Sequence, residues 1–138
     1  RLGTLIDENT LMGIGAENSK NMFSAASYFA NIQTDDAKAF ANSYAAKFGS
    51  DAAILNALST SCYDGLTALD AIAERAGGLS VKEMDSVAEG TAFGSPRGDA
   101  VMKNRHLTLD IYLAVAIGTD FKIVKTFSKQ EPGNFCKA

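Results

Sequence analysis

Apolar residues recur at helical spacing in the middle of the chain. Residues 34–49 predict the first long helix, with Thr34 as its N-cap and Gly49 as its end. Two acidic residues follow Thr34, where carboxylates favour the helix dipole. The apolar positions of this helix fall on one face: Ala37, Phe40, Ala41, Tyr44 and Phe48.

A second and longer helix is predicted over residues 52–76, ended by the pair Gly77 and Gly78. Its apolar face consists of Leu55, Leu58, Cys62, Leu66, Leu69 and Ala73. Residues 80–83 read Ser-Val-Lys-Glu, a capping-box pattern that predicts a third helix ending at Gly90.

Strands are predicted on both sides of these helices. The first segments are a strand over residues 3–7, a short helix over 8–14 and a buried apolar strand over 22–29. Three more strands follow at about 99–103, 108–117 and 121–127. This order indicates an α/β chain, but it lacks the regular alternation of an autonomous doubly wound sheet.

Composition and charge exclude several classes of function. The chain has 138 residues, 46% of them hydrophobic, which is typical of a globular protein. Its net charge of −3 and its scattered Lys and Arg argue against a nucleic-acid partner. No apolar stretch reaches the ~20 residues that span a bilayer.

The sequence offers no constellation for catalysis, metal binding or a cofactor. His106 is the only histidine, so a closed zinc site is not expected, and we predict a turn histidine with local hydrogen bonds. Residues 13–18 begin like a dinucleotide fingerprint, but Asn18 stands where Gly or Ala is needed. Cys62 is either a small buried hydrophobe or the partner of Cys136 in a disulfide.

Residues 90–127 carry the most specific pattern of the chain. A Pro-x-Gly turn (Pro96 to Gly98) precedes a strand, the corner Asn-Arg-His-Leu at 104–107 and a hairpin that turns at Gly118. This order resembles the C-terminal end of type I periplasmic binding proteins, in the branch that binds amides, urea and branched-chain amino acids. The corner is one His short of the form common in that family.

The resemblance implies the fold class and the division of the chain. We expect the C-terminal portion of a two-lobed α/β fold, with helices, a mixed set of strands and a terminal β-hairpin. Residues 1–22 would end one lobe, and 23–103 would form a crossing strand and the helical part of the other lobe. Residues 104–127 would be the hairpin that returns to the first lobe, and 128–138 a tail.

The same resemblance implies a function without catalysis. We expect a periplasmic solute-binding component of an ABC importer that closes its hinge on a small polar solute and delivers it to a membrane permease. The alternative is an intracellular amide-sensing regulator of the same fold, which binds a protein partner. A Cys62–Cys136 disulfide would favour the periplasmic protein.

The family pattern also places candidate ligand contacts. Thr4, Ile6 and Asp7 correspond to a strand end that forms the ligand wall of one lobe, and Tyr28 lies in the crossing strand. If the chain is a fragment, the strand at 22–29 and the terminal hairpin are expected to lack sheet partners. Such open edges favour dimerisation.

Overall fold

The computed structural model describes residues 1–133, which form four helices and six strands. The helices are α1 (Glu8–Ile14), α2 (Asp35–Phe48), α3 (Ala57–Ala76) and α4 (Val81–Ala88), and a 3-10 turn (Gly49–Asp51) follows α2. The strands are β1 (Leu2–Gly3), β2 (Phe23–Ala26), β3 (Ala92–Ser95), β4 (Gly98–Lys103), β5 (His106–Ile117) and β6 (Asp120–Gln130). This mixed architecture confirms the predicted α/β class.

The long strand β5 holds the six-stranded sheet together. Its first residues pair antiparallel with β4, its later residues pair with β2, and β6 runs beside most of its length. The strand β1 extends the sheet beyond β2, and β3 extends it beyond β4. The terminal hairpin and β2 therefore pair with each other, and the expectation that they lack sheet partners is wrong. Dimerisation itself stays a prediction.

Two apolar clusters lie on the two halves of this sheet. The larger one packs α1, the segment after β2 and the start of α2 against β5 and β6: Leu11, Met22, Tyr28, Phe29, Ile32, Ala37, Leu55, Tyr112, Ala114 and Phe121. The smaller one joins α3 to β3 and β4 through Ala68, Phe93 and Ala100. Each half of the sheet therefore has its own apolar cluster, and the strand β5 connects the two halves.

Local caps explain where the helices begin. The Thr34 hydroxyl accepts a hydrogen bond from the Ala37 amide, as predicted for α2. The helix α3 begins at Ala57 and not at 52, because Asn56 and Ser59 form a reciprocal capping box. The predicted capping box at Ser80 is wrong, since its side chain makes no cap hydrogen bond, and α4 ends at Ala88.

Several strand boundaries differ from the prediction. The strand expected over 3–7 is confined to Leu2–Gly3, and the one over 22–29 to Phe23–Ala26. The strand β3 was missed, although its alternating burial has the period of two that strands show. Residues 128–130 belong to β6 and not to a tail. The proposed lobe boundaries stay a prediction.

The predicted apolar face of α3 is the largest correction. Leu58, Leu66 and Leu69 are exposed, whereas Asp64 and Thr60 are fully buried. The helix turns its opposite face toward the sheet, because Asp64 has an ion-pair partner there. An apolar pattern alone does not identify which face of such a helix lies inward.

The remaining sequence expectations have mixed outcomes. His106 is a turn histidine, with its Nδ1 atom 2.8 Å from the Asn104 carbonyl oxygen, as predicted. Cys62 is exposed and is not the buried hydrophobe of the first alternative. Cys136 lies outside the described residues, so the disulfide stays a prediction. Within residues 1–133, no helix combines the length and the hydropathy that a bilayer span requires.

Candidate ligand-binding site

The loop after β1 carries three of the four predicted ligand residues. The Ser24 hydroxyl donates a 2.6 Å hydrogen bond to the Ile6 carbonyl oxygen, which fixes the loop to β2. A Cβ atom at Gly3 would lie 2.7 Å from the Ile6 side chain, so a larger residue here would displace the end of that side chain. Thr4 is exposed and Ile6 packs against the larger cluster. The loop thereby places Asp7 at the start of α1.

Asp7 is an N-cap that also reaches another helix. Its Oδ1 atom accepts hydrogen bonds from the amide and the hydroxyl of Thr10, at 2.8 and 2.7 Å. Its Oδ2 atom accepts a 2.7 Å hydrogen bond from the side-chain amide of Asn56, which is the N-cap residue of α3. Partial burial raises the pKa of Asp7, but these hydrogen bonds outweigh it and hold the pKa below its usual value. Asp7 is thus an ionised carboxylate that links α1 to α3.

Glu8 is a buried carboxylate beside Asp7. Its side chain is 4% exposed, and Oε1 accepts a 2.7 Å hydrogen bond from the Ala30 amide. The Oε2 atom has no hydrogen-bond partner among the described residues. Burial raises the pKa of Glu8, and the negative charges of Asp7 and Asp120 add to the effect, against the hydrogen bond from Ala30. Glu8 therefore fixes the segment after β2 while retaining an unpaired oxygen.

Replacing Glu8 with Gln is expected to stabilise the protein increasingly as the pH rises. The folded-state pKa lies above the reference value of 4.5, so the contribution of Glu8 is fully present below that pH and is lost as the pH rises through the folded pKa. Gln keeps the acceptor for Ala30 and has no charge. Urea unfolding at pH 4, 5, 6 and 7 measures the difference. The exposed Glu17→Gln variant is the control, and a pH-independent difference for Glu8→Gln would contradict the argument.

Tyr28 lies inside the larger cluster and is 1% exposed. Burial raises the pKa of its hydroxyl, and the nearby charge of Glu8 raises it further. The following Phe29 packs on Phe121 with ring centroids 4.8 Å apart, and the Asn31 side-chain amide donates to the Phe121 carbonyl oxygen. The segment after β2 is therefore held by the burial of Tyr28 and Phe29 and by the Asn31 hydrogen bond.

A buried ion pair lies beside the same segment. Both the Nε and Nη2 atoms of Arg97 contact Oδ2 of Asp64, at 2.6 and 2.5 Å, and both residues are buried. The Nη1 atom of Arg97 donates to the Ser27 hydroxyl at 2.5 Å, and the Arg97 amide donates to the Ser95 hydroxyl at 3.0 Å. This cluster ties the end of β2 to the middle of α3 and to the turn between β3 and β4.

The structure brings some of the predicted site residues together and adds others. Glu8 follows Asp7 directly, and the charge of Asp7 raises the pKa of Glu8. The charge of Glu8 in turn raises the pKa of Tyr28. Asn56, Asp64 and Arg97 were not predicted as site residues. Each carries a local signal: Asn56 is a residue type that caps helices, Asp64 is a carboxylate within an apolar helix, and Arg97 lies within the Pro-x-Gly turn. Ligand contact by Thr4, Ile6, Asp7 and Tyr28 stays a prediction.

A groove of about 650 Å³ lies apart from these residues, between α2, the start of α3 and the turn after β3. Four of its lining residues are aromatic: Phe40, Tyr44, Phe48 and Tyr63. None of the four predicted ligand residues lines it.

Within residues 1–133, His, Cys, Asp and Glu form no group of three that would hold a metal ion.

Solved structures share this arrangement of helices and strands. A solute-binding protein of an ABC transporter from Rhodopseudomonas palustris HaA2, in complex with p-hydroxybenzoic acid, superposes with a TM-score of 0.78 at 23% identity. A solute-binding protein from R. palustris in complex with 4-hydroxybenzoate gives 0.78 at 22% identity, and the leucine-binding protein LivK from Thermotoga maritima MSB8 gives 0.69 at 19%. The chain thus shares the fold of part of each of these proteins.

The chain accounts for only part of these proteins. The matches cover 94%, 97% and 85% of this chain, in the same order, but 37%, 38% and 33% of the neighbours' chains. A sequence model of the family described as periplasmic binding protein matches residues 1–120. The chain therefore belongs to the periplasmic binding protein family, type I, as the C-terminal motifs predicted. A comparison with curated protein sequences finds no significant match.

Proposed function

We propose that this chain contributes to the solute-binding component of an ABC importer, acting outside the cytoplasmic membrane. The observation that carries the proposal is the family match over residues 1–120. The solved neighbours, which are solute-binding proteins, support the same role. In this role a small solute is captured between two lobes and passed to a permease, and no bond is made or broken.

The connections around Asp7 suit a hinge. The Asp7–Asn56 and Glu8–Ala30 hydrogen bonds and the Arg97–Asp64 pair join segments that are distant in sequence. Because a hinge concentrates motion in a few residues at element ends, the ends of β2 and the starts of α1 and α3 are suited to this role. The solute would lie against the Asp7 loop when the lobes close.

The charge of Asp7 favours one class of solute. Its carboxylate is held ionised by three hydrogen bonds and is partly accessible. A ligand ammonium or amide N–H group would be attracted to this oxygen, whereas the carboxylate of an aromatic acid would be repelled. We therefore propose an amino acid or amide, although two solved neighbours hold hydroxybenzoates. The comparisons give no support to the amide-sensing regulator.

Solute binding is expected to depend on Asp7. Titration calorimetry with leucine, acetamide, urea and 4-hydroxybenzoate should give binding only for the nitrogen-bearing solutes, using the complete protein encoded by the gene. Asp7→Asn keeps a good N-cap but removes the charge, so affinity for an amino acid should fall by about 10-fold or more. Asp85→Asn, which removes an exposed carboxylate on α4, is the control. Preferred binding of 4-hydroxybenzoate, or an unchanged affinity in Asp7→Asn, would contradict this assignment.

A further inference from the structure

The strand β5 changes partners where the two halves of the sheet meet. Its residues 106–108 pair with β4, and its residues 112–115 pair with β2. Between these two stretches the pairing of β5 with β6 shifts register, from Leu109 to Ile111. Such an irregularity interrupts the regular pairing and bends the strand locally. The relative orientation of the two halves can therefore change most readily at this point of β5.

The side chain of Arg97 bridges the two halves of the sheet. It lies in the turn between β3 and β4, and its Nε and Nη2 atoms bind Oδ2 of Asp64 on α3, the helix that packs against the same two strands. Its Nη1 atom donates a 2.5 Å hydrogen bond to the hydroxyl of Ser27, which directly follows β2. The guanidinium is thus fixed in one half and contacts the other half with one N–H group.

The ion pair of Arg97 uses only one oxygen of Asp64. Both guanidinium contacts go to Oδ2, and the buried Oδ1 atom has no hydrogen-bond partner in the part of the chain that the structure describes. An arginine can bind both oxygens of a carboxylate through two parallel hydrogen bonds, and a buried oxygen without a partner is costly. Pairing both oxygens requires a shift of the guanidinium, which moves Nη1 relative to Ser27. Arg97 therefore has two alternative arrangements, and the contact with Ser27 belongs to the one observed.

We propose that Arg97 is a positioning residue for solute capture, which through Ser27 holds the two halves of the sheet in the orientation that binds the solute. This role rests on the proposed function, because it takes closure about a hinge as the way in which the solute is captured. Ser27 precedes Tyr28 and lies in the half of the sheet that carries the Asp7 loop. A protein that spends less time in its binding-competent orientation binds its ligand more weakly in proportion. Loss of the Ser27 contact should therefore weaken solute binding, with little loss of stability because Arg97 can then pair with both oxygens of Asp64.

Distances between the two halves test this role in the complete protein encoded by the gene. Spin labels are attached at Met12→Cys on α1 and at Lys82→Cys on α4, which packs against α3, in a background of Cys62→Ser and Cys136→Ser. In the solute-free protein, Ser27→Ala should broaden the distance distribution measured by pulsed electron paramagnetic resonance by roughly 1.5-fold or more. In titration calorimetry, the same variant should bind leucine or acetamide about 3-fold more weakly.

Ser24→Ala is the matched control, because the Ser24 hydroxyl donates to the Ile6 carbonyl oxygen within one half of the sheet. It should lower Tm at least as much as Ser27→Ala and leave the distances and the affinity unchanged, and Ser27→Thr, which keeps the hydroxyl, should match the unchanged protein. An unbroadened distribution in Ser27→Ala, or broadening with unchanged affinity, would overturn the role of Arg97. If the unchanged protein binds neither leucine nor acetamide, only the proposed function is contradicted, and the solute-free distances decide whether Arg97 fixes the orientation.

Discussion

Replacing Asp64 with Ala is expected to remove roughly 3–5 kcal/mol of the free energy of unfolding. The substitution leaves the Arg97 guanidinium buried with only the Ser27 hydroxyl as a side-chain partner. An uncompensated charge in a site that excludes water is costly, because the attraction that offset its desolvation is gone. Urea unfolding at pH 7 measures the difference.

The exposed ion pair between Arg105 and Asp85 provides the control. These two side chains meet at 3.2 Å but are largely solvent-accessible. Asp85→Ala should therefore change the free energy of unfolding by only about 0–1 kcal/mol. The double variant Asp64→Leu/Arg97→Met should regain much of the loss, because it removes both charges. If Asp64→Ala lowered the free energy of unfolding by no more than Asp85→Ala does, the buried ion pair would not stabilise the protein as argued.

Replacing Phe29 with Ala should cost about 3–5 kcal/mol of stability. Phe29 is fully buried, and its ring contacts Phe121 near the start of β6. Truncation opens a cavity between the segment after β2 and the hairpin, and the surrounding hydrogen bonds resist its collapse. Thermal and urea unfolding should both report the loss.

Phe127, which lies on β6 like Phe121, is the matched control for this substitution. Its side chain is 39% exposed, and the Nζ atom of Lys125 lies over its ring, 4.7 Å from the centroid. Phe127→Ala should cost less, about 1 kcal/mol, because more than a third of the side chain already lies in water and no closed cavity forms. Similar losses of stability for the two variants would show that the contact between Phe29 and Phe121 stabilises the protein no more than an exposed phenylalanine does. A large loss confined to Phe29→Ala would support it.

Local signals predicted α1 and α2 closely, because their limits depend on neighbouring residues. Asp7 and Thr34 cap these helices with their own side chains, and Gly15 and Gly49 end them. The inward face of α3 could not be read this way. Asp64 is buried because of Arg97, and that pair spans 33 residues of sequence. Contacts of that range carry no local periodic pattern.

The candidate site was predicted only in part for the same reason. Asp7 was found through the family pattern, but its partner Asn56 is 49 residues away. The burial of Glu8 also depends on a distant amide, that of Ala30. Short-range capping rules explain Asp7 as the start of α1, yet they contain no information on the link to α3. The contacts that connect α1 to α3 and to the segment after β2 can be identified only from the tertiary structure.

The shared strand β5 also determines when the protein can fold during synthesis. The contact between Asn31 and Phe121 spans 90 residues, and β2 pairs with the same late part of the chain. At about 5–20 residues per second, a ribosome needs on the order of 5–20 s to make the intervening segment. During that interval β2 has no antiparallel partner and its edge is open. Until β5 emerges, that open edge is available for pairing with another chain.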